Sequence, residues 1–188
     1  MRAPLALCLL LATLACDSAP PARADGADTA PPFRATVSIE EVMRYMIDPS
    51  ADAIWESLVT VVSDEGIEEI APETDEDWEA LRGHAVTLTE ATNLLLMEDR
   101  RVAEEGATSE LPGVDLEPEQ IEALLAENRD AWTQFTLGLR DSGVTVLEAI
   151  DAQDLEALLV AGDGLDVACE NCHARFWYPD LETRTSAK

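Results

Sequence analysis

The chain has little positive charge and almost no lysine. Of its 188 residues, 39 are acidic and 12 are basic, so the formal net charge is -27 at neutral pH. Lys188 is its one lysine. Nucleic acids and anionic lipid surfaces select clustered lysine and arginine, so neither is an expected partner. The acidic excess predicts a soluble surface and favours a basic protein as any protein partner.

Cysteine is also scarce, and none of the four cysteines is expected to form a structural disulfide. Cys8 lies in an apolar stretch, residues 5–15, which follows Arg2 and is too short to span a bilayer. This stretch fits an export signal. It ends in Thr-Leu-Ala-Cys16, which resembles the lipidation site of bacterial lipoproteins. We predict that residues 1–16 are a lipoprotein signal with Cys16 as the lipid site; ordinary cleavage near Ala24 is the alternative.

Residues 17–36 contain few large apolar side chains and are rich in Ala, Pro, Asp and Gly. Such a segment cannot bury enough apolar surface to offset the entropy of ordering, so it is predicted to be a flexible linker. With a lipid at Cys16, it would tether a periplasmic domain to a membrane. The remainder, residues 37–188, has a length suited to one domain.

Apolar residues recur at helical spacing through this domain, and no alternating strand pattern is convincing. Ser38 is predicted to cap a first helix that Pro49 kinks or breaks. Its apolar stripe continues through the β-branched run of residues 59–62 and ends at Gly66.

Three further helices are predicted. One begins at Thr74, the next begins at Pro118 and continues through Ile150 if Gly143 is tolerated, and the last begins near Asp154. The polar connection, residues 98–117, is long enough that we expect it to be disordered or to cover something. Four long amphipathic helices predict an all-α fold, a four-helix bundle.

The motif with the most specific chemistry lies in the last helix and reads Cys169-Glu170-Asn171-Cys172-His173. At this spacing two thiols can add to the vinyl groups of a haem while the next histidine ligates the iron. Two cysteines three residues apart share one face of a helix. The motif therefore predicts one covalently bound haem c, attached to Cys169 and Cys172, with His173 as the proximal iron ligand.

Three other interpretations of the cysteine pair are weaker. A redox dithiol usually follows a strand at the start of a helix, whereas this pair lies late in a helical segment. A zinc site needs more ligands than the chain offers nearby, since His84 is the only other histidine. A disulfide between cysteines three apart in one helix would hold nothing distant together.

The motif and the helix layout resemble the class II c-type cytochromes, which include cytochrome c-prime and its methionine-ligated, low-spin relatives. The resemblance covers about residues 37–178, with the haem motif as its specific part. It implies a four-helix bundle with haem on the C-terminal helix and the sixth iron ligand on the first helix. Met43 matches that ligand position, and Met46 is the less favoured alternative. Dimers formed through the first two helices are common in this family, so a homodimer is also implied.

The chain departs from the family where arginines commonly contact the haem carboxylates, because Ile39 and Trp177 occupy those positions. The candidate replacements are Arg44, Arg82, Arg175 and His84.

The resemblance implies a periplasmic electron-transfer protein with His173 and Met43 on the iron. The sequence supports no Ser-His-Asp set, phosphate loop or paired-carboxylate geometry, so we do not expect an enzyme. The alternative is a five-coordinate haem protein that binds nitric oxide or carbon monoxide. His84 remains open as a sixth ligand, as does a vacant position. Met43 and Met46 could also be core methionines that only fill space.

Overall fold

Helices dominate the computed structural model, which describes residues 33–64 and 66–179. All described helices and strands belong to one compact unit, Arg34–Lys188. The predicted signal with Cys16 and most of the predicted linker lie outside the described residues. In the described ranges, no helix combines the length and apolar character needed to cross a bilayer.

The first helical segment changes its winding in the middle. Ser38 starts it with a complete capping box: its hydroxyl accepts from the Glu41 N–H, and the Glu41 carboxylate accepts from the Ser38 N–H. Helix α1, Ile39–Val42, leads into a π-helical turn, Met43–Ile47, and then into α2, Asp48–Glu56.

The π turn provides a reason why Pro49 does not end this segment. A proline ring clashes with the carbonyl four residues earlier in an α-helix. A widened turn before it, in which the Asp48 N–H donates to the Met43 carbonyl, relieves that crowding. In place of the predicted kink or break at Pro49, the structure has a local π turn.

The prediction that the first helical stripe continues to Gly66 is wrong. Strand β1, Val59–Ser63, pairs antiparallel with β2, Gly66–Ile70. β-branched side chains favour extended backbone, and Gly66 has a φ of 140°, which few other residues adopt. Every residue of both strands is exposed, so the hairpin is not part of the core.

The remaining helices are α3, Asp75–Leu95; α4, Pro118–Glu127; α5, Arg129–Asp151; and α6, Leu155–Phe176. The helix predicted from Pro118 is therefore two helices. Asn128 separates them with φ -124° and ψ 39°. Its side-chain amide donates to the Leu124 carbonyl at 2.9 Å, which is how asparagine competes with helical hydrogen bonding.

The helices pack around one core. Helix α5 contacts α3 and α6, and α2 contacts the same two helices. Val42, Leu88, Val146 and Leu165, one from each of α1, α3, α5 and α6, are fully buried. Gly143 lets α3 approach α5, because a Cβ there would lie 2.5 Å from the Thr89 hydroxyl. The prediction of a mostly helical fold is confirmed, apart from the hairpin.

The connection between α3 and α4 is ordered and covers the end of the core. The Ile39 and Glu40 amides donate to the Arg101 and Val102 carbonyls, both at 2.9 Å. Val102 is 1% exposed. At its other end, the Leu116 amide donates to the carbonyl of Trp177, also at 2.9 Å. Of the two alternatives predicted for this connection, covering is the one observed.

Candidate functional site

The cysteines and the histidine of the motif lie in the last turns of α6. Cys172 is buried, Cys169 is partly buried, and both are free thiols. His173 is partly buried, and its ring centroid lies 6.3 Å from that of Trp177 and 6.2 Å from that of Tyr178. Within the described ranges its ring makes no side-chain hydrogen bond, so its nitrogens are available to a ligand.

Two cavities meet at the motif. The first, which we name the loop cavity, has a volume of about 350 Å³ and lies under the α3–α4 connection. The second, the helix cavity, has a volume of about 380 Å³ and is lined by residues of the helices. Both sizes fall in the range of small-molecule sites. The two cavities share four lining residues: Met43, Asp48, Cys172 and His173.

The walls of both cavities are largely apolar and aromatic, apart from the charged groups described below. The loop cavity is lined in part by Ile121, Leu125, Trp132, Phe176 and Trp177. The helix cavity is lined in part by Ile47, Trp55, Leu95, Phe135 and Leu139. The Phe176 ring packs edge-on against both Trp132 and Phe135, each with centroids 5.7 Å apart. These rings give the site rigid walls between the cavities.

The π turn places the two candidate methionines differently. Met43 lines both cavities together with His173. Met46 lines neither of them and packs against the core. The candidate residues Cys169, Cys172, His173 and Met43 are thus brought together, while Met46 is not part of that group.

The thiols are held in their neutral form. Burial, followed by the nearby carboxylates of Asp48, Asp166 and Glu170, raises the pKa of Cys169 to about 12. Burial also raises the pKa of Cys172 to about 12. Dithiol redox sites act through cysteines with lowered pKa values. This environment therefore favours chemistry that uses an S–H group.

Carboxylates dominate the charge around the helix cavity, where Asp48, Asp52, Asp166 and Glu170 contribute to the lining. Desolvation raises the pKa of the Asp48 carboxyl, an effect that Asp52 adds to and His173 opposes. Among the residues that the structure describes, neither lysine nor arginine lines this cavity. An anionic group would be repelled there.

The loop cavity contains the one arginine of the described lining, Arg44. Its guanidinium pairs with Glu40 at 2.7 Å and with Glu110 of the connection at 2.5 Å. Nearby, the Ser109 hydroxyl is buried and has no hydrogen-bond partner among the described residues. The Tyr178 hydroxyl donates to Glu170 at 2.8 Å, and burial, followed by this bond, raises the pKa of Tyr178 to about 12.

The other candidates from the sequence lie elsewhere. His84 is exposed on α3 and lines a separate pocket beside Ala71 and Pro72. Arg82 pairs with Asp151 at 2.7 Å, and the Arg175 guanidinium donates to the Asn128 side chain. The structure therefore does not bring His84, Arg82 or Arg175 to the two cavities.

Sequence reasoning missed the contribution of the α3–α4 connection. Ser109, Leu111 and Leu116 line the loop cavity, although their polar segment shows no helical or strand periodicity. The unusual length of the connection was the one available signal. Asp48 was missed as well, because the π turn that directs it towards both cavities leaves no pattern in the sequence.

Comparison of the chain with protein-family models, with curated proteins and with solved structures gave no match. The function of the two cavities is therefore argued from their own residues. In the described part of the chain, no group of three or more His, Cys, Asp or Glu side chains could hold a metal ion by itself.

Proposed function

We propose that this chain is a periplasmic monohaem c-type cytochrome of the class II type that transfers electrons. The observation that carries the proposal is that Met43, Cys172 and His173 line both cavities, with Cys169 lining the helix cavity. A rigid planar ligand too large for either cavity alone suits two adjoining apolar spaces with a thioether and an imidazole between them.

Cys169 and Cys172 would hold the haem covalently. In this reaction each thiol adds across a vinyl double bond: sulfur bonds to one carbon, the proton goes to the other, and nothing leaves. The addition needs thiols that are not joined in a disulfide, and both cysteines meet that condition. Their raised pKa values argue against a redox dithiol, which acts through its thiolate.

His173 and Met43 would ligate the iron from α6 and from the π turn. When bound, haem iron supplies one-electron exchange between its ferrous and ferric states. A thioether ligand and apolar walls both favour the less charged ferrous state, so Met43 and the apolar lining would raise the reduction potential. Met46 is the weaker candidate, because it lines neither cavity.

A four-helix bundle is the corresponding architecture. We assign its members as the α1–α2 segment, α3, α5 and α6, with α4 as an additional short helix. The contacts of α2 with α3 and α6, and of α5 with the same two helices, support this assignment. The cysteines then project from the last member and Met43 from the first.

The expected partner is a basic redox protein, since the net charge is -27 and electrostatic attraction guides such encounters. A lipid at Cys16 would hold the protein to a membrane on the periplasmic side. A homodimer, which the resemblance to class II cytochromes implies, is also part of the proposal.

Gas binding is the second candidate, and the space around Met43 favours it. Met43 is only partly buried and borders both cavities, so its side chain has room to move off an iron. Nitric oxide or carbon monoxide would then bind where Met43 had been.

The test is an absorption spectrum of the matured protein, expressed with haem-attachment machinery, in both oxidation states and with carbon monoxide. We expect haem that stays attached after denaturation, and a low-spin spectrum with the weak far-red band of iron–thioether ligation. Met43→Ala should abolish that band, while Met46→Ala, a matched change in the same turn, should retain it. Colourless protein would overturn the proposal, and a high-spin spectrum that shifts with carbon monoxide would support gas binding instead.

A further inference from the structure

The two cavities offer different chemistry to the two edges of a haem. The vinyl groups lie towards one side of the porphyrin, and its two carboxylates lie on the opposite edge. Cys169 lines the helix cavity and not the loop cavity. The edge that bonds to the cysteines therefore belongs on the side of the helix cavity, and the carboxylate edge belongs on the side of the loop cavity.

Charge supports the same orientation. The described lining of the helix cavity has four carboxylates and no arginine or lysine, so this cavity would disfavour two further carboxylates. The loop cavity also has acidic lining residues, Glu40, Asp48, Glu110 and Asp115, but it has Arg44 as well. A guanidinium binds a carboxylate through paired N–H donors.

We propose that the carboxylate edge of the haem lies in the loop cavity, where Arg44 pairs with a haem carboxylate in place of Glu110. The Ser109 hydroxyl, buried without a partner among the described residues, donates a hydrogen bond to the same edge. This inference rests on the proposed function, because it takes the presence of a haem from that proposal and adds the orientation of the haem.

The exchange of partners is feasible because Glu110 is held loosely. Its side chain is 73% exposed, whereas that of Arg44 is 49% exposed. Glu110 can therefore return to water when a haem carboxylate replaces it. Glu40, one helical turn from Arg44, can keep its contact at 2.7 Å. Arg44 then bridges α1 and the cofactor, and Ser109 anchors the connection over it.

The experiment uses the full matured protein with haem attached and four variants: Arg44→Gln, Glu110→Gln, Ser109→Ala and Arg82→Gln. The first readout is the resonance Raman band of haem carboxylate bending, which responds to direct contacts of the carboxylates. The second is the midpoint potential. Arg82 is the matched control, since its side chain is 44% exposed and forms one ion pair away from both cavities.

We expect Arg44→Gln to shift the bending band and lower the potential, because a positive charge that disfavours ferric iron is lost. Glu110→Gln should raise the potential, because it removes a negative charge and a competitor for Arg44. Ser109→Ala should shift the band with little change in potential. Arg82→Gln should change neither readout.

If the ion pair of Arg44 with Glu110 has only a structural role, a different result is expected. Arg44→Gln and Glu110→Gln break the same ion pair, so a purely structural role would move the bending band in the same direction in both variants, while the potential follows the sign of the charge removed in either case. That outcome, or an unchanged band in both Arg44→Gln and Ser109→Ala, overturns the inference while leaving the proposed function intact. If Arg44→Gln fails to mature, the Glu110→Gln and Ser109→Ala results decide. Colourless wild-type protein instead defeats the proposed function.

Discussion

Two of the connections between helices in this molecule differ in their surroundings: one is packed into the interior and the other is exposed. The connection between α3 and α4 inserts Val102 and Ala103 into the interior, where they are 1% and 5% exposed. The hairpin between α2 and α3 carries more β-branched residues, yet every residue of its strands is exposed. Val62 and Ile67, which face each other across the ladder, are 75% and 72% exposed.

The difference shows that local sequence character does not decide which connection becomes part of the core. The hairpin forms from its own ladder and β-branched residues, and none of its strand residues is buried. The α3–α4 connection has no ladder of its own and is held by bonds to α1 and to the end of α6. That dependence keeps it over the loop cavity.

The prediction with the largest expected effect introduces an aspartate into each of the two connections. Val102→Asp should lower the free energy of unfolding by about 3–5 kcal/mol, because an unpaired carboxylate would be buried. Val62→Asp should change it by less than about 1 kcal/mol. Urea unfolding followed by circular dichroism measures both. Equal effects would mean that Val102 is not buried in solution or that the hairpin packs on another surface.

The contrast between packed and open surroundings can be sharpened within one helix, which removes differences between connections. In α5, a Cβ at Gly143 would meet the Thr89 hydroxyl at 2.5 Å, whereas a Cβ at Gly138 would meet nothing within 4 Å. Gly143→Ala should cost about 1–3 kcal/mol by overpacking. Gly138→Ala should stabilise by about 0.5–1 kcal/mol, because glycine is a poor helix former. A stabilising Gly143→Ala would contradict the close approach of α3 and α5.

The helices were largely predictable because their apolar periodicity and capping residues are local signals. Ser38, Thr74 and Asp154 each cap the helix they were predicted to begin. The hairpin was missed because its β-branched run also fits the spacing of the helical stripe before it. The break at Asn128 was missed because no glycine or proline marks it.

The grouping of the motif residues was predictable from the sequence, and the surroundings of that group were not. The spacing of Cys169, Cys172 and His173 is enough to identify the motif in the sequence. Met43 and Met46 both lie in the π turn, and only Met43 lines the two cavities, a difference that the sequence pattern does not show. The role of the α3–α4 connection depends on contacts far apart in sequence, such as Arg44 with Glu110. Such contacts have no signature in a single sequence.

Two capping boxes allow a smaller comparison of the same regions. Ser38 lies beside the covered end and is 4% exposed, whereas Thr74 follows the hairpin and is exposed. Both caps accept a hydrogen bond from the third residue of their helix at 3.1 Å. Ser38→Ala should cost about 2 kcal/mol and Thr74→Ala about 1 kcal/mol, the upper and middle parts of the range for N-caps. The reverse order in urea unfolding would show that burial does not strengthen the first cap.

The smallest expected effect concerns the pH dependence of the exposed box. The Thr74 hydroxyl and the backbone N–H groups of Thr74 and Glu73 donate to the Asp77 carboxylate, which lowers its pKa below the ordinary value of 3.8. A carboxyl with a lowered folded-state pKa adds stability above its unfolded pKa and loses it as the pH falls through the folded value. Asp77→Asn should therefore destabilise the protein most at neutral pH, and the difference from wild type should close below pH 3.8. Because the Thr74 hydroxyl is the largest cause of the shift, the pH-dependent part should shrink in a Thr74→Ala background. A difference that stays constant with pH would mean that the exposed box does not depend on the Asp77 charge.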